Sequence, residues 1–180
     1  MAVMAADIAF TRADLDALPD DGRRHELLDG AILVTPSPGF AHQFVLMALI
    51  DLLRPAVPTG LELIPGPFDV ALTQRTVVVP DLLVAPRSQF TARDLPGAPL
   101  LVVEIRSPST ALIDQTTKRH LYEQAGVPSY WLVDPIEPSI TVLELVDGQY
   151  SERAHLTGDE TVALTAPFPV ELSARAIRPA

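Results

Sequence analysis

Two acidic residues and the only lysine of this chain follow one another in an order suited to metal-dependent hydrolysis. The 180 residues include thirteen lysines and arginines, of which Lys118 is the single lysine. An ammonium group is compact and its pKa responds to burial, whereas a guanidinium is planar and always charged. This lysine either has a function that arginine cannot perform or was retained by chance. Its position downstream of Asp81 and Glu104 favours a function.

Asp81 and Glu104 lie in two predicted strands. Asp81 follows Pro80 within the predicted strand 76–84, and because proline cannot donate to a sheet, this strand lies at an edge, is bulged or bends there. Glu104 lies in the apolar run 100–105, which is typical of a strand buried on both faces, where a carboxylate needs a cation or a hydrogen-bond donor. The two carboxylates favour Mg²⁺, with Mn²⁺ also possible. Pairing of Glu104 with Arg106 or Arg119 is the alternative.

A helix predicted over 112–125 carries the lysine on its inward face. Helical spacing places one stripe of residues on that face, namely Asp114, Lys118, Leu121, Tyr122 and Ala125. An exposed Asp–Lys pair four residues apart contributes only about 0.2–0.5 kcal/mol and needs no inward position. A pair placed partly inside costs more, which favours a functional role.

The rest of the pattern predicts many strands and few helices. A capping box at residues 11–14 predicts a short helix to about residue 18, and apolar spacing predicts a second helix over 41–54. Asp29-Gly30 and Asp147-Gly148 predict type I′ turns in hairpins at 24–34 and 139–156. We therefore expect an α/β (α+β) fold in a single domain, 1–180, with a mixed central β-sheet flanked by a few helices.

Composition limits the class of protein. Hydrophobic residues make up 48% and charged residues 20%, as in ordered globular proteins. No apolar run approaches the ~18 residues of a membrane span. The absence of cysteine excludes disulfides and thiol chemistry, and with no secretory signal pattern we expect a cytoplasmic protein. The net charge of −10 disfavours contact with nucleic acid, but residues 81–120 form the one stretch that is not acidic.

Several motifs resemble the Uma-type restriction endonuclease family of the PD-(D/E)XK nuclease superfamily. Pro80-Asp81 with Glu104-Ile105-Arg106 is similar to the superfamily signature, with Arg106 where a lysine usually stands and Lys118 at the position of a lysine moved to the next helix. The four family-like stretches are 24–30, 36–38 with His42-Gln43, 103–109, and 114–135. The resemblance extends from about residue 10 to 150 in compatible order.

The resemblance implies a restriction-endonuclease-like core and a metal-dependent DNA endonuclease. It assigns metal binding to Asp81, Glu104 and the carbonyl of Ile105, and water activation or phosphate stabilisation to Lys118. Glu26 would act with these catalytic residues through water, its alternative being an exposed strand glutamate.

Three further residues are expected at the substrate. Arg106 is predicted to contact the scissile phosphate, and Arg119 is a second candidate for contact with the nucleic acid. His42 is a candidate for lining the cleft and contacting substrate, although a capping or partly buried histidine is the favoured interpretation.

Other functions stay open from the sequence. A catalytically inactive fold of this type would serve as a nucleic-acid-binding or assembly module. RNA is not excluded as the substrate, because no motif reads a base or a 2′-hydroxyl. A homodimer is expected by analogy, since cutting two strands takes two sites.

Overall fold

The structure, a computed structural model, describes residues 9–107 and 111–178, so the end of the family-like stretch 103–109 lies outside the described residues. The strands are β1 (Arg24–Leu28), β2 (Ala31–Thr35), β3 (Leu61–Pro65), β4 (Asp69–Thr73), β5 (Thr76–Val78), β6 (Leu82–Pro86), β7 (Asp94–Pro96), β8 (Leu101–Ile105), β9 (Ser129–Asp134), β10 (Ser139–Val146), β11 (Gln149–Thr157), β12 (Thr161–Leu164) and β13 (Val170–Ser173). The helices are α1 (Arg12–Asp16), α2 (Phe40–Leu53), α3 (Ala111–Ile113) and α4 (Arg119–Ala125), with 3₁₀ turns at Arg87–Gln89 and Ala174–Ile177.

The strands form three sheets. A six-stranded sheet has the order β11-β10-β9-β8-β6-β3, in which β8 and β9 are parallel and the other neighbours are antiparallel. A five-stranded sheet has the order β2-β1-β5-β4-β7, and β12 pairs with β13. The predicted mixed α+β class is confirmed, with the difference that the strands are divided between two large sheets rather than gathered in one.

The six-stranded sheet is covered on both faces. Residues of one face, including Val103 and Trp131, pack against α2 and the C-terminal segment. Those of the opposite face, including Val102 and Tyr130, pack against α4 and the five-stranded sheet. All five residues of β8 are buried, as the apolar run predicts. Glu104 therefore lies in the interior, on the same face as Val102.

Local sequence signals explain the helix start and the turns. Thr11 and Asp14 form the predicted capping box at the start of α1. Asp29 and Gly30 have φ of 46° and 86°, and Asp147 and Gly148 have φ of 51° and 80°. Positive φ at both central positions is the type I′ geometry that Asp-Gly favours. Both predicted hairpins are confirmed.

The segment predicted as one strand over 76–84 is in fact two strands in different sheets. β5 belongs to the five-stranded sheet and β6 to the six-stranded sheet. Between them lies Pro80, whose missing N–H ends the ladder of β5. An edge position, a bulge or a bend at the proline was predicted, whereas the continuous strand over 76–84 was wrong. Asp81 thus lies where the chain passes from one sheet to the other.

The helix predicted over 112–125 contains an irregular turn. A π-helical turn, Asp114–Lys118, separates α3 from α4, and Gly126 ends α4 with φ of 79°. A π turn adds a residue to the helical repeat and is frequent at functional sites. Asp114 and Lys118 are 2% and 1% exposed, so this turn directs both side chains inward.

The longest helix, α2, lies across the six-stranded sheet. Val45, Leu49 and Leu53 are at most 1% exposed and follow the predicted helical spacing. His42 lies in the first turn of α2, at the end of the helix that approaches Asp81. Among the described residues, no helix has the length and apolar content required to cross a bilayer.

Candidate active site

A cluster of buried charged side chains forms where β1, β8, the β5–β6 crossing and the π turn meet. Its members are the four residues predicted to be catalytic, Glu26, Asp81, Glu104 and Lys118, which are 0%, 5%, 1% and 1% exposed. Burial of this many charges is costly unless each finds a partner of opposite charge. The cluster is therefore held by specific ion pairs.

Lys118 is the cation at the centre of the cluster. Its Nζ lies 2.9 Å from Oε1 of Glu26, 3.0 Å from Oε1 of Glu104 and 3.7 Å from Oδ1 of Asp114. The hydroxyl of Tyr122, one helical turn further on, donates to the same Glu104 oxygen at 2.8 Å. The alternative pairing of Glu104 with Arg106 or Arg119 is therefore wrong.

The protonation of Lys118 and Glu104 reflects an excess of negative charge. Burial lowers the pKa of Lys118, but Glu104, Glu26 and Asp114 outweigh it and raise that pKa above the usual lysine value. Burial raises the pKa of Glu104 well above its ordinary value, Lys118 opposes this, and neighbouring carboxylates add to it. Lys118 therefore stays protonated. Glu104 favours its protonated form when no further cation lies beside it.

Asp81 is held as a carboxylate by three donors. Its Oδ2 accepts hydrogen bonds from the amide of Ile105 at 2.8 Å and from Nε2 of His42 at 3.0 Å. Nη1 of Arg24 lies 3.3 Å from Oδ1. Burial raises the pKa of Asp81, but the bond and charge of His42, the Ile105 amide and Arg24 together lower it. Asp81 is therefore ionised near neutral pH.

Glu26 is buried, so the alternative of an exposed strand glutamate is wrong. Its Oε1 accepts a hydrogen bond from the amide of Val79 at 2.8 Å. Its Oε2 has no hydrogen-bond partner within the described residues, and Nη2 of Arg24 lies 3.8 Å away. Because a buried carboxylate oxygen normally has a donor or a cation beside it, this oxygen has capacity for a water or an ion.

Two adjoining cavities lead to the cluster. The inner cavity has a volume of about 170 Å³, and its lining includes Asp81, Glu104, Ile105 and Ser107. The outer cavity has a volume of about 690 Å³. Asp81, Arg24 and His42 line both cavities, as do residues 36–38. The predicted cleft position of His42 agrees with this placement, and within the described residues its Nδ1 has no hydrogen-bond partner.

The donor set fits a hard divalent cation. Glu26, Asp81, Glu104 and Asp114 are four buried carboxylates, and they face two permanent cations, Lys118 and Arg24. A cation beside Asp81 and Glu104 would stabilise the ionised form of Glu104, whose pKa is raised by burial. Within residues 9–107 and 111–178, no group of three or more His, Asp or Glu side chains is arranged as a metal centre. Mg²⁺ needs only one or two carboxylates when water and phosphate complete its shell, so two carboxylates suffice.

The two arginines predicted to contact substrate lie apart from the cavities. Nη1 of Arg106 donates to Oδ2 of Asp134 at 2.7 Å. Nη2 of Arg119 donates to the carbonyl of Tyr150 at 3.3 Å, on another face of the helix from Lys118. Neither arginine is among the residues that line the inner or the outer cavity. In this state the structure does not bring them to Asp81 and Glu104.

Three residues of the site were missed from the sequence. Arg24 bridges Asp81 and Glu26, and the strand alternation that places Arg24 on the same face as Glu26 was the available signal. Tyr122 was placed on the inward stripe of its helix without a role. Gly66 gave no signal, because its importance comes from a contact with a distant segment.

Gly66 packs directly against the segment that carries Asp81. Its amide donates to the carbonyl of Asp81 at 2.9 Å, and a Cβ atom at Gly66 would lie 2.6 Å from the carbonyl oxygen of Pro80. That clash is with backbone, so the Pro80–Asp81 segment has to move. Gly66 is therefore a positioning residue for the Asp81 carboxylate.

Gly66→Ala is expected to lower the free energy of unfolding by about 1–3 kcal/mol, the usual cost of overpacking. Urea denaturation of the two proteins measures the difference. Gly39→Ala is the control for steric contact, because a Cβ there meets no atom within 4 Å, and alanine at this N-cap position of α2 is expected to cost less than about 1 kcal/mol. An equal loss of stability in both variants would contradict the positioning role of Gly66.

Comparisons with known proteins agree with this architecture. The family model described as "Uma2: Putative restriction endonuclease" matches residues 12–178. A crystal structure of a putative nuclease belonging to DUF820 from Anabaena variabilis ATCC 29413 matches with a TM-score of 0.73 and 19% identity, over 93% of this chain and 97% of that chain. At this identity the likeness shows the fold, and it confirms the restriction-endonuclease-like core. No curated protein matches the chain. By its match over residues 12–178, the chain belongs to the Uma2 family of putative restriction endonucleases.

Proposed function

We propose that this protein is a metal-dependent DNA endonuclease that hydrolyses phosphodiester bonds at the buried cluster. The observation that carries the proposal is that two buried carboxylates, Asp81 and Glu104, line the inner cavity, and that Glu104 also contacts the ammonium of Lys118. Buried carboxylates that reach a cavity beside a lysine are typical of a functional site. The family and the fold support the nuclease class.

Asp81, Glu104 and the carbonyl of Ile105 would hold the cation, Mg²⁺ or Mn²⁺. When bound, such an ion polarises a phosphate oxygen and lowers the pKa of a coordinated water. Glu26 contacts the same ammonium as Glu104 and has one oxygen without a hydrogen-bond partner within the described residues. That oxygen is placed to accept a hydrogen bond from a water at the cluster.

Lys118 would act as a cation and hydrogen-bond donor. Its raised pKa keeps the ammonium protonated near neutral pH, so it does not serve as a general base. An ammonium beside the reacting phosphate stabilises the negative charge that develops on the phosphate oxygens. A guanidinium is larger and has a fixed planar fork, so arginine does not fit a position that is 1% exposed.

Arg24 and His42 would orient Asp81. Each contacts a different oxygen of that carboxylate, at 3.3 and 3.0 Å, and both line the cavities through which a phosphate approaches. Contacts to both oxygens limit the rotation of the metal-binding carboxylate. Loss of such hydrogen-bond partners commonly lowers metal affinity by about 10- to 100-fold.

One observation favours the second candidate, an inactive fold that binds nucleic acid or assembles with a partner. Oε1 of Glu104 is already engaged by Lys118 and Tyr122, so part of the negative charge is neutralised without a metal. In an inactive protein this arrangement would persist with Mg²⁺ or Mn²⁺ present. The two candidates therefore differ in the response to metal.

Cleavage of plasmid and of single-stranded DNA with Mg²⁺ or Mn²⁺ tests the proposal. We expect products with the wild type, loss of products with EDTA, and no products with Asp81→Ala. RNA tested in parallel decides between DNA and RNA as the substrate. Absence of metal-dependent cleavage of any of these substrates would favour the inactive module. A homodimer is part of the proposal, and light scattering measures the molar mass that tests it.

A further inference from the structure

We propose that the substrate is a nucleic-acid strand with an unpaired nucleotide, as in single-stranded DNA or a locally opened duplex. The base of that nucleotide would enter the outer cavity while the adjacent phosphate reaches the inner cavity at Asp81 and Glu104. This inference rests on the proposed nuclease function, because it names the substrate class of the same site. It is carried by the size, the lining and the depth of the two cavities.

The size of the outer cavity suits one nucleotide. Its volume of about 690 Å³ lies within the range of roughly 300–1,000 Å³ typical of pockets that bury a small organic ligand. A base that is paired and stacked in a duplex cannot enter such a pocket. Enzymes that act on a base in a pocket therefore take it from a single strand or extrude it from the helix.

The lining of the outer cavity combines apolar walls with a few polar groups. The apolar wall residues are Val34, Pro36, Pro38, Leu46 and Pro67, and the polar ones include Thr35, Ser37 and Gln43. Apolar side chains pack against the flat face of a base without selecting its identity, because removing that face from water is favourable for any base. The amide of Gln43 carries both a donor and an acceptor, which suits the exposed edge of an unpaired base.

The charges around the cavities suit a short strand rather than a duplex. Arg23, Arg24 and His42 are the basic residues that line the outer cavity, in a protein with a net charge of −10. Proteins that bind a duplex through its backbone commonly neutralise about 6–10 phosphates. A single strand entering the cavity needs few such contacts, because the apolar wall contributes to binding.

The burial of Asp81 and Glu104 also favours a strand with an unpaired nucleotide as the substrate. Asp81 and Glu104 are 5% and 1% exposed, and the inner cavity that reaches them has a volume of only about 170 Å³. The phosphates of a regular duplex lie on the outside of a wide, stiff helix, which does not bend locally into a narrow cavity. A phosphate next to an unpaired nucleotide lacks this obstruction and is able to enter.

Fluorescence anisotropy with Ca²⁺ in place of Mg²⁺ or Mn²⁺ measures binding under conditions that disfavour cleavage, because Ca²⁺ binds oxygen ligands at longer distances and in a looser geometry. The probes are a labelled single strand, the same strand paired with its complement, and the same duplex with a central unpaired bubble. We expect the single strand and the bubble to bind about tenfold more tightly than the full duplex, because only they are able to place a base in the outer cavity. Tighter binding of the full duplex would overturn the inference, as would absence of binding to all three probes.

A matched pair of glutamine variants locates the binding site. Gln43→Glu places a carboxylate on the wall of the outer cavity, whereas Gln124→Glu adds the same charge on an exposed position of α4. We expect Gln43→Glu to weaken single-strand binding about fivefold through repulsion of the phosphate, and Gln124→Glu to leave it within about twofold. Equal effects of the two variants would overturn the assignment to the cavity.

Cleavage of the same three probes with Mn²⁺ separates this inference from the nuclease proposal. Faster cleavage of the single strand and the bubble supports both. Preferential binding of unpaired DNA without cleavage of any probe supports the inference and contradicts the nuclease proposal. Faster cleavage and tighter binding of the full duplex support a nuclease and overturn the inference.

Discussion

Lys118→Met is expected to lower the free energy of unfolding by about 3–5 kcal/mol and to abolish cleavage. Lys118 is 1% exposed and lies within 3.7 Å of three carboxylates. Methionine fills a similar volume but leaves those carboxylates buried without their cation. Urea denaturation measures the stability, and the plasmid assay measures the activity.

Two variants show whether this loss arises from charge. Arg153→Met removes an exposed cation from β11 and is expected to change the stability by less than about 0.5 kcal/mol. Lys118→Met combined with Glu104→Gln removes one of the unpaired charges and is expected to recover part of the stability, but not the cleavage. A loss below about 1 kcal/mol for Lys118→Met alone would contradict the ion-pair account of the cluster.

Glu104→Gln is expected to lower the rate of cleavage by at least about 10²–10³-fold, while the metal-free protein becomes more stable near neutral pH. The rate falls because a neutral amide is a poor ligand for Mg²⁺ and does not replace the carboxylate at the phosphate. Stability rises because the pKa of Glu104 is well above its ordinary value, so its ionised form is disfavoured in the folded state. Opposite effects of one substitution on activity and stability distinguish a functional residue from a structural one.

The gain in stability expected for Glu104→Gln depends on pH, and the raised pKa of Glu104 gives the direction of that dependence. The pKa of Glu104 is higher in the folded protein than the ordinary value of 4.5, so between these two values the folded state binds more protons than the unfolded state. The stability of the wild type therefore falls as pH rises through that interval, relative to Glu104→Gln. Denaturation at several pH values in EDTA measures the difference. Glu152→Gln, at an exposed position of β11, is the control and is expected to show no such trend.

The central site residues were predictable because their local sequence is unusual. Glu104 stands out as a carboxylate in an apolar strand, and Lys118 as the one lysine on an inward helical face. Both features are unusual because burying a charge is costly, and both are visible in the local sequence pattern. Pro80 likewise marked the interruption at Asp81, since its missing N–H is a property of the residue itself.

Features that depend on distant contacts were not predictable in the same way. Pro80 indicates a break but does not say that the following strand joins a second sheet. The contact of Gly66 with Pro80 arises from packing between separate segments. Arg106 was expected at the site because the resemblance places it at the lysine position of the nuclease signature, but β8 ends at Ile105 and Arg106 pairs with Asp134. Arg119 follows Lys118 directly, and neighbours on a helix face different directions.

The central claim is that Asp81 and Glu104 together hold a divalent cation beside Lys118. Isothermal titration calorimetry with Mn²⁺ on the wild type, Asp81→Asn and Glu104→Gln tests it most directly. We predict one Mn²⁺ per chain for the wild type, and affinity reduced by at least about tenfold in each variant. Binding of Mn²⁺ to all three proteins with the same affinity, or to none of them, would contradict the account.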